Sequence, residues 1–182
     1  MSSADQQIIE ALTELFQAEK TTDGCPEWTA SKNKNAADLQ CTSPLWVNGA
    51  VQLGLRMEAV LPQVQPAGRP RYGLRAMMFA SVSGETLHLA RIEFDPISNV
   101  HVHRNIPNRF GAPPVIDGPH YHPFMENASL GKGALGLVSD LPIAFPCDET
   151  FTSFNDVLDA IRGRFLIPGL WLEEPPCSIL IV

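Results

Sequence analysis

Leu45-Trp46-Val47-Asn48-Gly49-Ala50-Val51, continuing into Gln52-Leu53-Gly54-Leu55-Arg56-Met57-Glu58-Ala59, is the stretch whose reading decides the fold. Asn-Gly between two apolar runs is the strongest short signal for a type I′ hairpin, because both central residues need positive φ and these two adopt it at least cost. Beyond the turn, Val51, Leu53, Leu55, Met57 and Ala59 alternate with Gln52, Gly54, Arg56 and Glu58. Strand side chains point to opposite faces in turn, so this period of two places one face on a core. Two antiparallel strands are predicted here.

Further along, a Pro/Gly-rich connection from Pro62 to Pro70 leads into Tyr72–Val82, Ser83-Gly84 and Glu85–Asp95, the pattern of a second hairpin. Residues 99–104 and 119–124 read as shorter extended pieces, and Ser178–Val182 as a terminal strand. Helices are predicted at the two ends. Over residues 4–19, Ile8, Ile9, Leu12, Leu15 and Phe16 fall at helical spacing behind a Ser3-x-x-Gln6 capping pattern. Near the other end, Thr152 or Ser153 can cap a helix with Phe154, Val157, Leu158 and Ile161 on one face and Gly163 near its end. Between them, the polar stretch Thr21–Ser43, with Trp28 as its one large aromatic, reads as a long loop or flap.

The fold class is therefore α+β: an antiparallel β-meander sheet with an N-terminal and a C-terminal helix packed on it. A chain of 182 residues that is 45% hydrophobic fits one domain, 1–182, with a sufficient core. Sixteen prolines and thirteen glycines against 18% charged residues favour short elements joined by many turns.

A net charge of −7 with no Lys/Arg run excludes a broad nucleic-acid-binding face. No 18-residue apolar run could span a bilayer, and the N-terminus lacks the basic segment of a secretory signal, so a cytoplasmic protein is expected. Cys25, Cys41, Cys147 and Cys177 show no C-x-x-C spacing and are read as reduced thiols.

Chemistry concentrates between His101 and His122, which hold four of the five histidines as two His-x-His pairs. In extended chain His101 and His103 share a face, as do His120 and His122, so each pair is a two-pronged nitrogen site. Were the two segments to lie side by side, four imidazoles would converge in a set that suits Zn, Ni, Cu or Fe. A small metal-binding protein or hydrolase-like metalloenzyme is the first reading, with His101, His103, His120 and His122 as ligands. Glu126 is its candidate fifth ligand or general base.

The second reading needs no metal: His103 as acid or base, with Arg104, Arg91 or Arg109 clamping a phosphate, in a toxin-like ribonuclease or phosphodiesterase. Either chemistry would take a small-molecule or phosphate-containing substrate. A third reading is a non-catalytic interaction module of a bacterial defence or counter-defence system, contacting a protein partner through the 96–119 loop. His88, sharing strand parity with Ala90, Ile92 and Phe94, reads as a core histidine, and Arg91 with Glu93 as an in-sheet ion pair or a site residue. Cys147 reads as structural.

His120-x-His122-x-x-x-Glu126 resembles part of the first motif of cupin metal proteins, which implies His120, His122 and Glu126 as ligands with a fourth from His101 or His103. No histidine follows His122, so the second cupin motif has no counterpart here. Separately, Arg91-Ile-Glu-Phe-Asp95, His103-Arg-Asn105 and Gly118-Pro-His-Tyr-His122 followed by a capped helix resemble small bacterial proteins of mobile elements and toxin–antitoxin loci. That resemblance spans roughly residues 90–165 and implies a bacterial origin but no activity.

Overall fold

In the computed structural model, residues 2–30, 38–61, 73–94, 101–103 and 110–175 are described. The chain runs α1 (Ser3–Gln17), β1 (Lys20–Thr22), β2 (Thr29–Ala30), β3 (Leu39–Val47), β4 (Ala50–Leu61), β5 (Arg75–Val82) and β6 (Glu85–Glu93). It continues through β7 (His101–Val102), β8 (Val115–Ile116), β9 (His120–His122), α2 (Phe124–Ala128), β10 (Phe145–Pro146) and α3 (Phe154–Phe165), with a 3-10 turn at Lys132–Leu135. The main sheet has the order β1-β3-β4-β5-β6-β9-β10, with β2 also on β3, and β7-β8 form a separate ribbon. The architecture is α+β.

Both hairpins close as type I′ chemistry requires: Asn48 and Gly49 have φ of 53° and 74°, Ser83 and Gly84 of 53° and 81°. Alternation in β4 buries Leu55, Met57, Ala59 and Leu61, whereas Val51 at the turn end is 49% exposed. The change comes at Gly54, whose φ is +73° and whose position a Cβ would bring to 2.4 Å from the Ser81 Cβ. Only glycine lets β4 bend this closely against β5.

At each end of the chain a helix is fixed by a capping box. Ser2 and Asp5 cap α1, one residue earlier than the Ser3-x-x-Gln6 pattern suggests, and Ser153 with Asp156 caps α3 as expected. Each such cap is worth about 1 kcal/mol. The α3 face Phe154, Val157, Leu158, Ile161 and Phe165 is buried, and α1 buries Leu12. Gly163 lies near the end of α3 as expected, and the helix is closed by Leu166 in the left-handed region. Lys20 is fully buried and joins the two helix ends, its Nζ donating to Phe16 O (2.6 Å), Ala18 O (2.7 Å) and Phe165 O (3.2 Å). A cation suits carbonyls left unpaired at helix C-termini.

Parts of the segment expected to be a flap belong to the sheet: the end of β1, all of β2 and the start of β3 at Leu39 fall within it. Backbone pairing with β3 holds these polar residues, an influence that local composition does not carry. The 62–70 connection and the terminal Ser178–Val182 segment fall outside the described residues. Among the described residues, no helix is long and apolar enough to cross a membrane.

Candidate functional site

Strand β9 lies between β6 and β10, in a register that sets Arg91 opposite His122 and Glu93 opposite His120. Because β9 alternates, His120 and His122 share a face and both are buried. The other pair arrives by a different route. β7 pairs with β8 rather than β9, and the ribbon carries His101 over the sheet to ring-centroid distances of 5.4 Å from His120 and 4.9 Å from His122.

The nitrogens are set by the backbone. His122 Nδ1 donates to Leu141 O at 2.5 Å and His120 Nδ1 to Gly118 O at 2.9 Å. The His101 ring hydrogen-bonds the Pro142 carbonyl, and its Nε2 is buried without a hydrogen-bond partner. One ligand atom from each of His101, His120 and His122 lies within 4.8 Å of the other two, a grouping able to hold a metal ion. A carbonyl on the far nitrogen that fixes the tautomer and turns the other nitrogen inward is the usual support of a metal-binding histidine.

His103 is placed differently. Although its ring is 4.6 Å from that of His101, its Nδ1 donates to Pro113 O and its Nε2 accepts from the Ala144 N–H at 2.9 Å. Both nitrogens are engaged by backbone, so it braces the ribbon instead of joining the group of three. Glu126 is also apart from that group: Pro123 ends β9 and starts α2, turning the position four residues after His122 into the first turn of a helix. Arg104 and Arg109 lie outside the described residues.

Arg91 stands at the centre of the charges. Its Nη2 donates to His122 Nε2 at 2.8 Å, its Nε lies 3.0 Å from Glu93 Oε1, and its Nη1 pairs with Asp140. The in-sheet ion pair with Glu93 read from the sequence is present, and Arg91 also hydrogen-bonds His122. His88 is buried, stacked on Phe79 at 4.2 Å, and brings Nδ1 to 3.2 Å from Asp140 Oδ1. Simple alternation sends His88 and Arg91 to opposite faces. The β5–β6 register slips between Met78 and Phe79, pairing Met78 with Ala90 and Phe79 with His88, and both side chains reach the same carboxylate.

Burial, then the neighbouring His103, His120 and Arg91, pulls His101 down to about 4. Burial and then Arg91 hold His122 well below the ordinary histidine value. Burial pushes the Asp140 carboxyl up, but His88 and Arg91 outweigh it and keep it at about 2. At neutral pH His101 and His122 are thus uncharged beside ionised Asp140.

Sequence reasoning missed the strap 140–144, which contacts Arg91, His88, His101, His103 and His122. Asp140 holds Arg91 and approaches His88, Leu141 and Pro142 accept from two of the three imidazoles, and Ala144 donates to His103. Its backbone is strained: Asp140 and Leu141 have φ of 51° and 52°, a region that costs a non-glycine residue about 1–3 kcal/mol. Buried Asn127 holds it in place, Nδ2 donating to Pro123 O (2.7 Å) and Ile143 O (2.9 Å) and Oδ1 accepting from Ile143 N–H (2.8 Å). No motif marks the strap; Asn127, in the short helix Phe124–Ala128, was the available signal.

Burial pushes the Cys147 thiol up to about 11, away from a reactive thiolate. Comparison of the chain with family models, with curated proteins and with solved structures returned no match.

Proposed function

We propose that this chain is a metalloprotein that holds one divalent transition metal on the Nε2 atoms of His101, His120 and His122 and uses it in hydrolase-like chemistry. The observation that carries the reading is the shared anchoring of three imidazoles by Leu141, Gly118 and Pro142, which brings their ligand atoms within 4.8 Å. At metal–nitrogen bond lengths of about 2.0–2.1 Å, ligands of a tetrahedral ion stand about 3.4 Å apart, so loading contracts the triad modestly. All-imidazole ligation suits Zn, Ni, Cu or Fe and disfavours Mg or Ca, which take oxygen.

Charge points the same way. Glu93 and Asp140 against Arg91 leave one net negative charge beside the neutral rings of His101 and His122, a setting that favours a dication. Three protein ligands leave a coordination position open, as in catalytic rather than structural zinc sites. A metal there polarises a carbonyl or phosphoryl oxygen and acidifies bound water. The strap orients two of the rings that would hold it, those of His101 and His122.

The test is elemental analysis of untagged protein after dialysis against Zn²⁺, paired with ester and phosphate-ester hydrolysis before and after chelation. One metal per chain is expected, together with turnover that chelation stops and Zn²⁺ restores; the double variant His120→Ala, His122→Ala is expected to be empty and inactive. A wild-type protein that cannot be loaded removes the proposal.

A further inference from the structure

Arg91 competes with a metal for one of its three ligand atoms, His122 Nε2. A neutral imidazole nitrogen has one in-plane lone pair, and that of His122 Nε2 already accepts from Arg91 Nη2 at 2.8 Å, so guanidinium and metal cannot both use it. Loading therefore displaces Nη2. The guanidinium cannot escape by losing its proton, and its other nitrogens stay held by Glu93 and Asp140, the latter fixed on the strained strap.

His101, His120 and His122 each bring one ligand atom to the group, and the Arg91 guanidinium reaches it through one of them, His122 Nε2. We infer that Arg91 selects the fourth ligand of the metal, an anionic oxygen ligand of the carboxylate or phosphate-ester class, by donating from Nη2 to the metal-bound oxygen. This inference rests on the three-histidine metal reading. Charge counting agrees: Arg91, Glu93 and Asp140 sum to one negative charge, a dication turns that into one positive charge, and one anionic ligand neutralises it. The N–H fork of arginine matches both carboxylate and phosphate oxygens.

Co²⁺ serves as the probe, because its visible spectrum reports coordination, with inorganic phosphate and acetate titrated separately into Co²⁺-loaded wild type and Arg91→Met. In the variant Co²⁺ is expected to bind more tightly by about tenfold, since one charge-assisted hydrogen bond no longer competes, and the preferred anion to bind at least about tenfold more weakly. The anion that wild type binds more tightly identifies the ligand class. Equal anion affinity in the two proteins overturns the role of Arg91 while leaving the metal centre intact; wild type that takes up no Co²⁺ overturns both. If Arg91→Met does not fold, the guanidinium ¹⁵N resonances of wild-type Arg91 give the answer. They are expected to move on Zn²⁺ addition and again on adding the anion, and resonances unmoved by Zn²⁺ in a loaded protein overturn the inference.

Discussion

Asn127 and Ile143 exchange two hydrogen bonds, Nδ2 to the Ile143 carbonyl at 2.9 Å and the Ile143 N–H to Oδ1 at 2.8 Å, and through them a buried side chain of α2 fixes the strap that orients the histidines. Replacing Asn127 by Ala strands Ile143 N–H and two carbonyls in the interior. A loss of about 2–4 kcal/mol is expected in urea unfolding, with Zn²⁺ affinity reduced alongside because Leu141 and Pro142 are no longer held. Unchanged Zn²⁺ affinity in folded Asn127→Ala would show that the strap does not set the rings.

Ser153→Ala provides the contrast. It removes the cap of α3 and is expected to cost about 1 kcal/mol while leaving metal uptake unaltered, as calorimetric titration with Zn²⁺ would show.

Gly54→Ala tests the bend that aligns β4 with β5. A Cβ there meets Ser81 Cβ at 2.4 Å and Ser81 N at 2.9 Å on a backbone with φ of +73°, and a loss of more than about 2 kcal/mol is expected in thermal unfolding. A neutral result would mean that the strands separate freely at this point.

These sites also mark how far the sequence could be read. Asn48-Gly49 and the alternation of Leu55, Met57 and Ala59 made the meander legible, and Phe154, Val157, Leu158 and Ile161 made α3 legible, because turn chemistry and periodicity are local properties. The shared face of His120 and His122 was legible for the same reason, strand parity, whereas the arrival of His101 depends on the β7–β8 ribbon. His103 was not separable from them, since its removal depends on Pro113 and Ala144, distant partners of its two nitrogens. Nor could alternation reveal that His88 and Arg91 meet at Asp140, because a register slip opposite Met78 and Phe79 leaves no local mark.

Lys20 carries a pH signature. Burial pulls its amine from 10.5 down to about 8. Between those values the unfolded chain binds more protons than the folded one, so this group adds stability as pH rises from about 8 towards 10.5. A ¹³C-detected lysine titration is expected to find one resonance with a midpoint near 8. Wild type should also gain more stability than Lys20→Met from pH 8 to 10. A Lys20 midpoint above 10 would remove this expectation.

The central claim is that three of the four clustered histidines bind the metal and His103 does not. Zn²⁺ stoichiometry measured by elemental analysis across His101→Ala, His103→Ala, His120→Ala and His122→Ala tests it most directly, with folding of each variant checked by circular dichroism. The account predicts one metal per chain in wild type and in His103→Ala, and loss of metal in the other three. Loss of metal in folded His103→Ala equal to that in His120→Ala, or a wild-type protein that binds none, would contradict it.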